Sequence, residues 1–158
     1  MFPDKLNIDL VERIPSVIIS DNNYYYLVNE EGIILSQTDQ FYNENELYIL
    51  TGLNMSSKKL GEIIKSREFN ESKNIIYALE NIFPDQFYKI KVISTNEFIL
   101  FHKEKQIEVR IKDGNQLINE WYLLESALQK VLQEELQLEE INMIYEDRCS
   151  IILKENGL

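Results

Sequence analysis

Short apolar runs separated by turn residues at hairpin distance recur along most of this chain, and that rhythm restricts it more than any other feature. A run of four to eight residues is too short for a stable helix, and two such runs joined by a tight turn pair as antiparallel strands. Leu6, Ile8 and Leu10 alternate with Asn7, Asp9 and Val11, which reads as a strand with one buried face. After Pro15, Val17-Ile18-Ile19 opens a second extended run that ends at the turn residues Asp21-Asn22-Asn23. Tyr24 to Val28 and Ile33 to Leu35 flank Asn29-Glu30-Glu31-Gly32, a four-residue hairpin loop in which Gly32 can take positive φ. Leu47 to Leu50 is a further short run, ending near Gly52. Later come Tyr88 to Ile93, Phe98 to His102 and Ile107 to Ile111, with turns at Thr95-Asn96 and Glu104-Lys105. A last hairpin joins Ile141 to Tyr145 and Cys149 to Leu153 through Glu146-Asp147.

Helical spacing interrupts this rhythm. Ser56 reads as an N-cap for Leu60, Ile63, Ile64 and Arg67, and Asn70 as the cap of a second helix carrying Ile75, Ile76, Leu79, Ile82 and Phe83, stopped by Pro84. Beyond the break at Asp113-Gly114-Asn115, Leu117, Trp121, Leu124, Leu128 and Val131 step by four, three, four and three, giving one apolar stripe about four turns long. The expected class is α+β: a mainly antiparallel or mixed sheet with about three helices packed on it.

Composition and motifs narrow the function classes. A net charge of −11 repels phosphate and anionic lipid, which argues against nucleic-acid binding and membrane adsorption. No apolar run is long enough to span a bilayer, and Met1-Phe2-Pro3-Asp4-Lys5 does not open a signal peptide. The single Cys149 can form neither an internal disulfide nor a zinc site alone, although Arg148 beside it could lower its pKa. None of the five glycines falls in a nucleotide-binding loop, and there is no nucleophile elbow. The lone His102 sits in an alternating strand, where a structural role is expected. Carboxylate pairs such as Glu30-Glu31, Glu134-Glu135 and Glu139-Glu140 lack the order of a calcium loop and read as solvated surface. No catalytic residue, cofactor or metal is expected. The rival reading is a small soluble enzyme or ligand-binding domain, which would need a pocket gathering polar groups, such as His102 with a glutamate.

The final hairpin is the more promising surface. A terminal strand at a sheet edge carries unpaired N–H and C=O groups and can accept a partner strand, with Tyr145 and Ile151-Ile152-Leu153 as anchors.

Four segments, in order, resemble the FtsQ/DivIB family of bacterial cell-division proteins. They are Phe2-Pro3 followed by an alternating strand and Glu12-Arg13-Ile14-Pro15; Tyr25-Tyr26-Leu27-Val28-Asn29-Glu30-Glu31-Gly32; Ile49-Leu50-Thr51-Gly52-Leu53; and the closing Ile141-Asn142-Met143-Ile144-Tyr145 hairpin. Asn29 stands where the family usually has Asp, and Tyr48-Ile49 where it has Pro. The resemblance implies that residues 1–14 hold the last strand of a truncated POTRA domain and 15–158 a β domain of the FtsQ/DivIB type. It implies a parent protein anchored in the plasma membrane by a single span, with this domain outside. It also implies a non-enzymatic divisome scaffold that binds FtsB/DivIC-like and FtsL-like partners and helps control septal peptidoglycan synthesis. Partner docking in the family is by strand addition at the end of the domain, which carried over by position gives Ile144, Tyr145, Ser150 and Ile152. The acidic surface favours a partner with basic residues flanking its docking strand. Proline at Ile152 is expected to disrupt docking.

Overall fold

In the computed structural model the order of elements is four strands, one helix, three strands, a second helix and two strands. The described residues are 11–44, 46–104, 107–134, 138–145 and 147–153. The strand expected over Leu6–Leu10 lies outside them, as do Lys105 and Glu146 of the two expected turns. Residues 11–16 form no regular element.

The strands are β1 (Val17–Asp21), β2 (Tyr24–Val28), β3 (Ile34–Thr38), β4 (Tyr48–Thr51), β5 (Phe87–Ser94), β6 (Glu97–His102), β7 (Glu108–Ile111), β8 (Leu138–Asn142) and β9 (Ser150–Leu153). They form one nine-stranded sheet in the order β3-β2-β1-β4-β5-β6-β7-β8-β9. The hairpins pair antiparallel, whereas β1–β4, β4–β5 and β7–β8 are parallel. Parallel neighbours need a crossover, and the second and third of these pairs are joined through the two helices. The sheet is therefore mixed, and the domain is α+β.

The expectation of about three helices is overturned: among the described residues there are two, α1 (Arg67–Ile82) and α2 (Gly114–Glu134). The segment carrying Leu60, Ile63 and Ile64 has helical spacing but no helix. Its backbone groups pair elsewhere. Ile34 N donates to Glu62 O, Gly61 N to Ile34 O and Ile64 N to Gly32 O, at 2.9 to 3.0 Å, so residues 61–64 lie along the start of β3. Gly61 takes φ of +80°, a geometry that ends any right-handed turn. Long-range pairing thus outcompetes a weak local preference. The helix begins later, and its cap is Ser66, whose hydroxyl accepts from Phe69 N at 3.1 Å; Asn70 lies inside α1.

Alternation along the strands sorts the residues by face. Val17, Ile19, Leu50, Ile90, Phe98, Leu100, Val109 and Ile141 point to the face covered by α1 and α2, where they meet Phe69, Ile75, Leu79, Leu117, Leu124 and Leu128 in one core. Ile18 belongs to the other face yet is only 1% exposed. The connection from β3 to β4 must pass β2 and β1, and Phe41 lies on Tyr25 of this outer face with ring centroids 5.1 Å apart. Phe41 thus covers part of the outer face at β2. Glycine is required at Gly52, just after β4: its φ is +86°, and a Cβ there would lie 2.2 Å from Val92 O of β5.

Candidate functional site

β9 is the last strand in the sheet order and, among the described residues, has β8 as its one neighbour. The direction of its free groups follows from the ladder. Met143 N donates to Arg110 O of β7 at 2.9 Å, so odd-numbered residues at the end of β8 turn their backbone groups toward β7. Alternation turns Glu140 and Asn142 toward β9. Their partners there are Ile152 and Ser150, which spend their amides and carbonyls on β8. Ile151, between them, points its N–H and C=O away from the sheet. Its side chain packs on the core opposite Ile141, while Ser150, Ile152 (40% exposed) and Leu153 (50% exposed) are open to solvent.

The opposite margin differs. At the start of β3, Ile34 already uses its N–H on Glu62 and its carbonyl on Gly61. That edge is partly covered by the chain's own loop.

Of the four residues assigned from the sequence, Ser150 and Ile152 lie side by side on the outer face of β9. Ile144 and Tyr145 do not extend β8, which ends at Asn142; they lie in the connection to β9. The strand ends there because the Asn142 side chain accepts from Ile144 N at 3.0 Å, turning the chain at that point. Ile144 is half-buried and Tyr145 69% exposed.

Two polar networks that the sequence did not reveal hold this hairpin. On the outer face Arg110 forks onto Glu140, with Nε 2.9 Å from both carboxylate oxygens and a terminal nitrogen 2.7 Å from Oε2. It also pairs with Glu97 of β6, and Asn142 donates to Glu140 at 3.1 Å. Glu140 is buried, and Arg110 stays charged at any accessible pH, held so chiefly by its hydrogen bonds to Glu140. At the sheet end, buried Gln116 on α2 accepts from Lys112 N and donates to Glu120 and to Met143 O. Glu120 in turn accepts from Asp147 N at 3.3 Å. Glu120 departs from helical geometry at φ −117°, which kinks α2 where it meets the turn before β9. Charge alternation at Glu97, Arg110 and Glu140 is visible in the sequence, but only strand register makes them neighbours.

The residues considered for chemistry are dispersed. His102 is buried, its Nδ1 accepts from Glu104 N at 3.2 Å, and its ring packs edge-on to Phe87. Burial lowers its pKa, with Glu104 pulling the other way. Cys149 is half-buried, and burial pushes its thiol up, the opposite direction to the lowering expected from Arg148. The cavity at the N-terminal end of α1, about 600 Å³, and that beside Asn43 and Tyr88, about 400 Å³, are open clefts lined by neither His102 nor Cys149. Among the described residues no group of three His, Cys, Asp or Glu side chains could hold a metal ion, and no helix is long and apolar enough to cross a membrane.

Comparison with protein-family models gives no matching family, and comparison with curated proteins gives no matching relative.

Proposed function

We propose that this chain is a non-enzymatic binding domain that takes a strand of another protein along β9, as a divisome scaffold of the FtsQ/DivIB kind. The observation that carries the reading is the free margin of β9, where Ile151 directs its N–H and C=O away from the only described neighbour. Backbone hydrogen bonds to that margin supply affinity, and the exposed side chains of Ser150 and Ile152, with Ile144 and Tyr145 beyond the strand, supply selection. The half-covered margin at β3 supports the choice of β9 over the other edge. The Arg110–Glu140–Glu97 network supports it too, because a receiving strand must hold its register when a partner arrives. The sequence resemblance supplies the identity of the partners, FtsB/DivIC-like and FtsL-like proteins. It also supplies the setting: a parent anchored by a single span in the plasma membrane, this domain extracytoplasmic, acting on septal peptidoglycan synthesis.

The test is amide hydrogen exchange on the chain, free and mixed with the extracytoplasmic segments of FtsB/DivIC-like and FtsL-like proteins. Strand addition slows exchange at the Ile151 amide on binding, while Ile152, bonded to β8 in both states, changes little. A saturated complex in which Ile151 exchanges as fast as in the free chain overturns the assignment.

A further inference from the structure

Three residues upstream of β9, the chain passes a second exposed surface. Trp121 (41% exposed) and Tyr122 (51% exposed) stand on the solvent side of α2 with their rings in an edge-to-face pair, centroids 6.5 Å apart. The kink at Glu120 places them there, and Glu120 is hydrogen-bonded to the backbone of Asp147. The aromatic pair is therefore tied to the same turn that carries Tyr145 and leads into Ser150. Large aromatic side chains left open next to the turn that leads into a free strand edge have the composition of an interface centre, since Trp and Tyr are enriched among the residues that carry most of the binding energy. The charge around them is negative. Among residues 120–125 and 147–148 three are acidic, with Glu125 and Asp147 exposed and Glu120 half-exposed, against one cation, Arg148, and among the described residues none of the three carboxylates is in an ion pair.

We propose that the docking surface continues from β9 across the turn onto Trp121 and Tyr122, and that the partner follows its docked strand with a short apolar stretch rich in Lys and Arg. This rests on β9 receiving a strand. Cationic side chains of the partner meet the faces of the two rings and the carboxylates of Glu120, Glu125 and Asp147, while its aliphatic residues cover the rings' edges. A strand pairing with β9 and running past Ser150 leaves the sheet at the turn where Asp147 is bonded to Glu120, the residue before the ledge formed by Trp121 and Tyr122.

Trp121 is the chain's only tryptophan, so its fluorescence reports on the ledge directly. The probes are synthetic peptides: an eight-residue alternating Thr/Ile strand alone, the same strand with a Lys-Leu-Leu-Arg extension at either end, and the same with Glu-Leu-Leu-Glu. The cationic extension at one end binds about tenfold more tightly than the acidic one, a difference of about 1.4 kcal/mol, and shifts Trp121 emission to the blue. Tyr122→Ala removes most of that advantage and leaves the affinity of the bare strand unchanged, which a general attraction to an acidic protein would not do. If the bare strand binds but the cationic extension gains nothing, or leaves Trp121 emission unmoved at saturation, the ledge is overturned and the β9 reading stands. If no peptide binds, both fall.

Discussion

Proline at two adjacent positions of β9 separates a strand's inner margin from its outer one. At Ile152 the amide faces β8, so proline removes one ladder donor and leaves the Glu140 carbonyl without its partner. Removing one partner of a ladder bond and orphaning the other costs about 1–3 kcal/mol. Ile152→Pro is therefore expected to lose roughly 2 kcal/mol, which for a domain of this size lowers Tm by roughly 4–8 °C. At Ile151 the amide faces outward and makes no ladder bond, so proline removes nothing from the sheet. Its cost is confined to the half-buried side chain, about 1 kcal/mol of lost apolar contact. Ile151→Ala measures that packing loss separately, and Ile151→Pro should match it within about 0.5 kcal/mol. Urea unfolding followed by Trp121 fluorescence gives all three values. Partner binding should show the reverse order, with Ile151→Pro losing affinity that Ile151→Ala retains. If Ile151→Pro destabilises as much as Ile152→Pro, the alternation assigned to β9 is wrong and the outward amide of Ile151 with it. Ile152 is thus a poor position at which to test docking by proline, because loss of binding there would follow from damage to the strand itself.

Other expectations follow from the same structure. Arg110→Met strands the buried carboxylate of Glu140 and is expected to cost about 2–3 kcal/mol, less than a fully buried pair because Arg110 is partly solvated. The double change Arg110→Met with Glu140→Met should recover most of it in chemical unfolding, and an Arg110→Met loss below about 0.5 kcal/mol would show that the network adds little. Burial lowers the His102 pKa from 6.5, so the unfolded chain takes up the proton first. The stability tied to His102 is complete above about pH 6.5 and declines as pH falls from there through the lowered folded value. Thermal unfolding should show wild type losing stability against His102→Gln between pH 7.5 and 5.5; parallel curves would refute a buried neutral imidazole. Gly52→Ala combines a left-handed backbone with a Cβ 2.2 Å from Val92 O, and calorimetry should show a loss of at least about 2 kcal/mol.

Much of the sheet was legible from the sequence because hairpins are written locally. Asn22 and Asn23 both take positive φ, as their turn required, and the Asn29–Gly32 loop closes with Gly32 N on Asn29 O at 2.9 Å. The three strands from Phe87 to Ile111 follow the same logic of period two, and Leu117, Leu124, Leu128 and Val131 form the buried stripe of α2, but Trp121, expected on that stripe, stands out to solvent next to the kink at Glu120. The helix expected from Ser56 failed for the opposite reason. Leu60, Ile63 and Ile64 have helical spacing, but the backbone groups of Gly61, Glu62 and Ile64 found partners on Gly32 and Ile34, some thirty residues away. The site was half legible: Ser150 and Ile152 could be placed on a last strand, whereas Ile144 and Tyr145 lie past the end of β8 because the side chain of Asn142 turns the backbone there.

The order of chain reversals, the absence of local catalytic motifs and the identity of the closing hairpin were determined by the sequence alone, since each depends on residues within a few positions of one another. Which strand became the margin was decided only by the tertiary structure. The parallel pairings β1–β4, β4–β5 and β7–β8 join strands distant in sequence, and no local pattern encodes them. The same pairings bring Arg110 onto Glu140 and turn the amide of Ile151 outward. Those are consequences of register, and register is set where separate segments meet, by the packing of whole faces against one core.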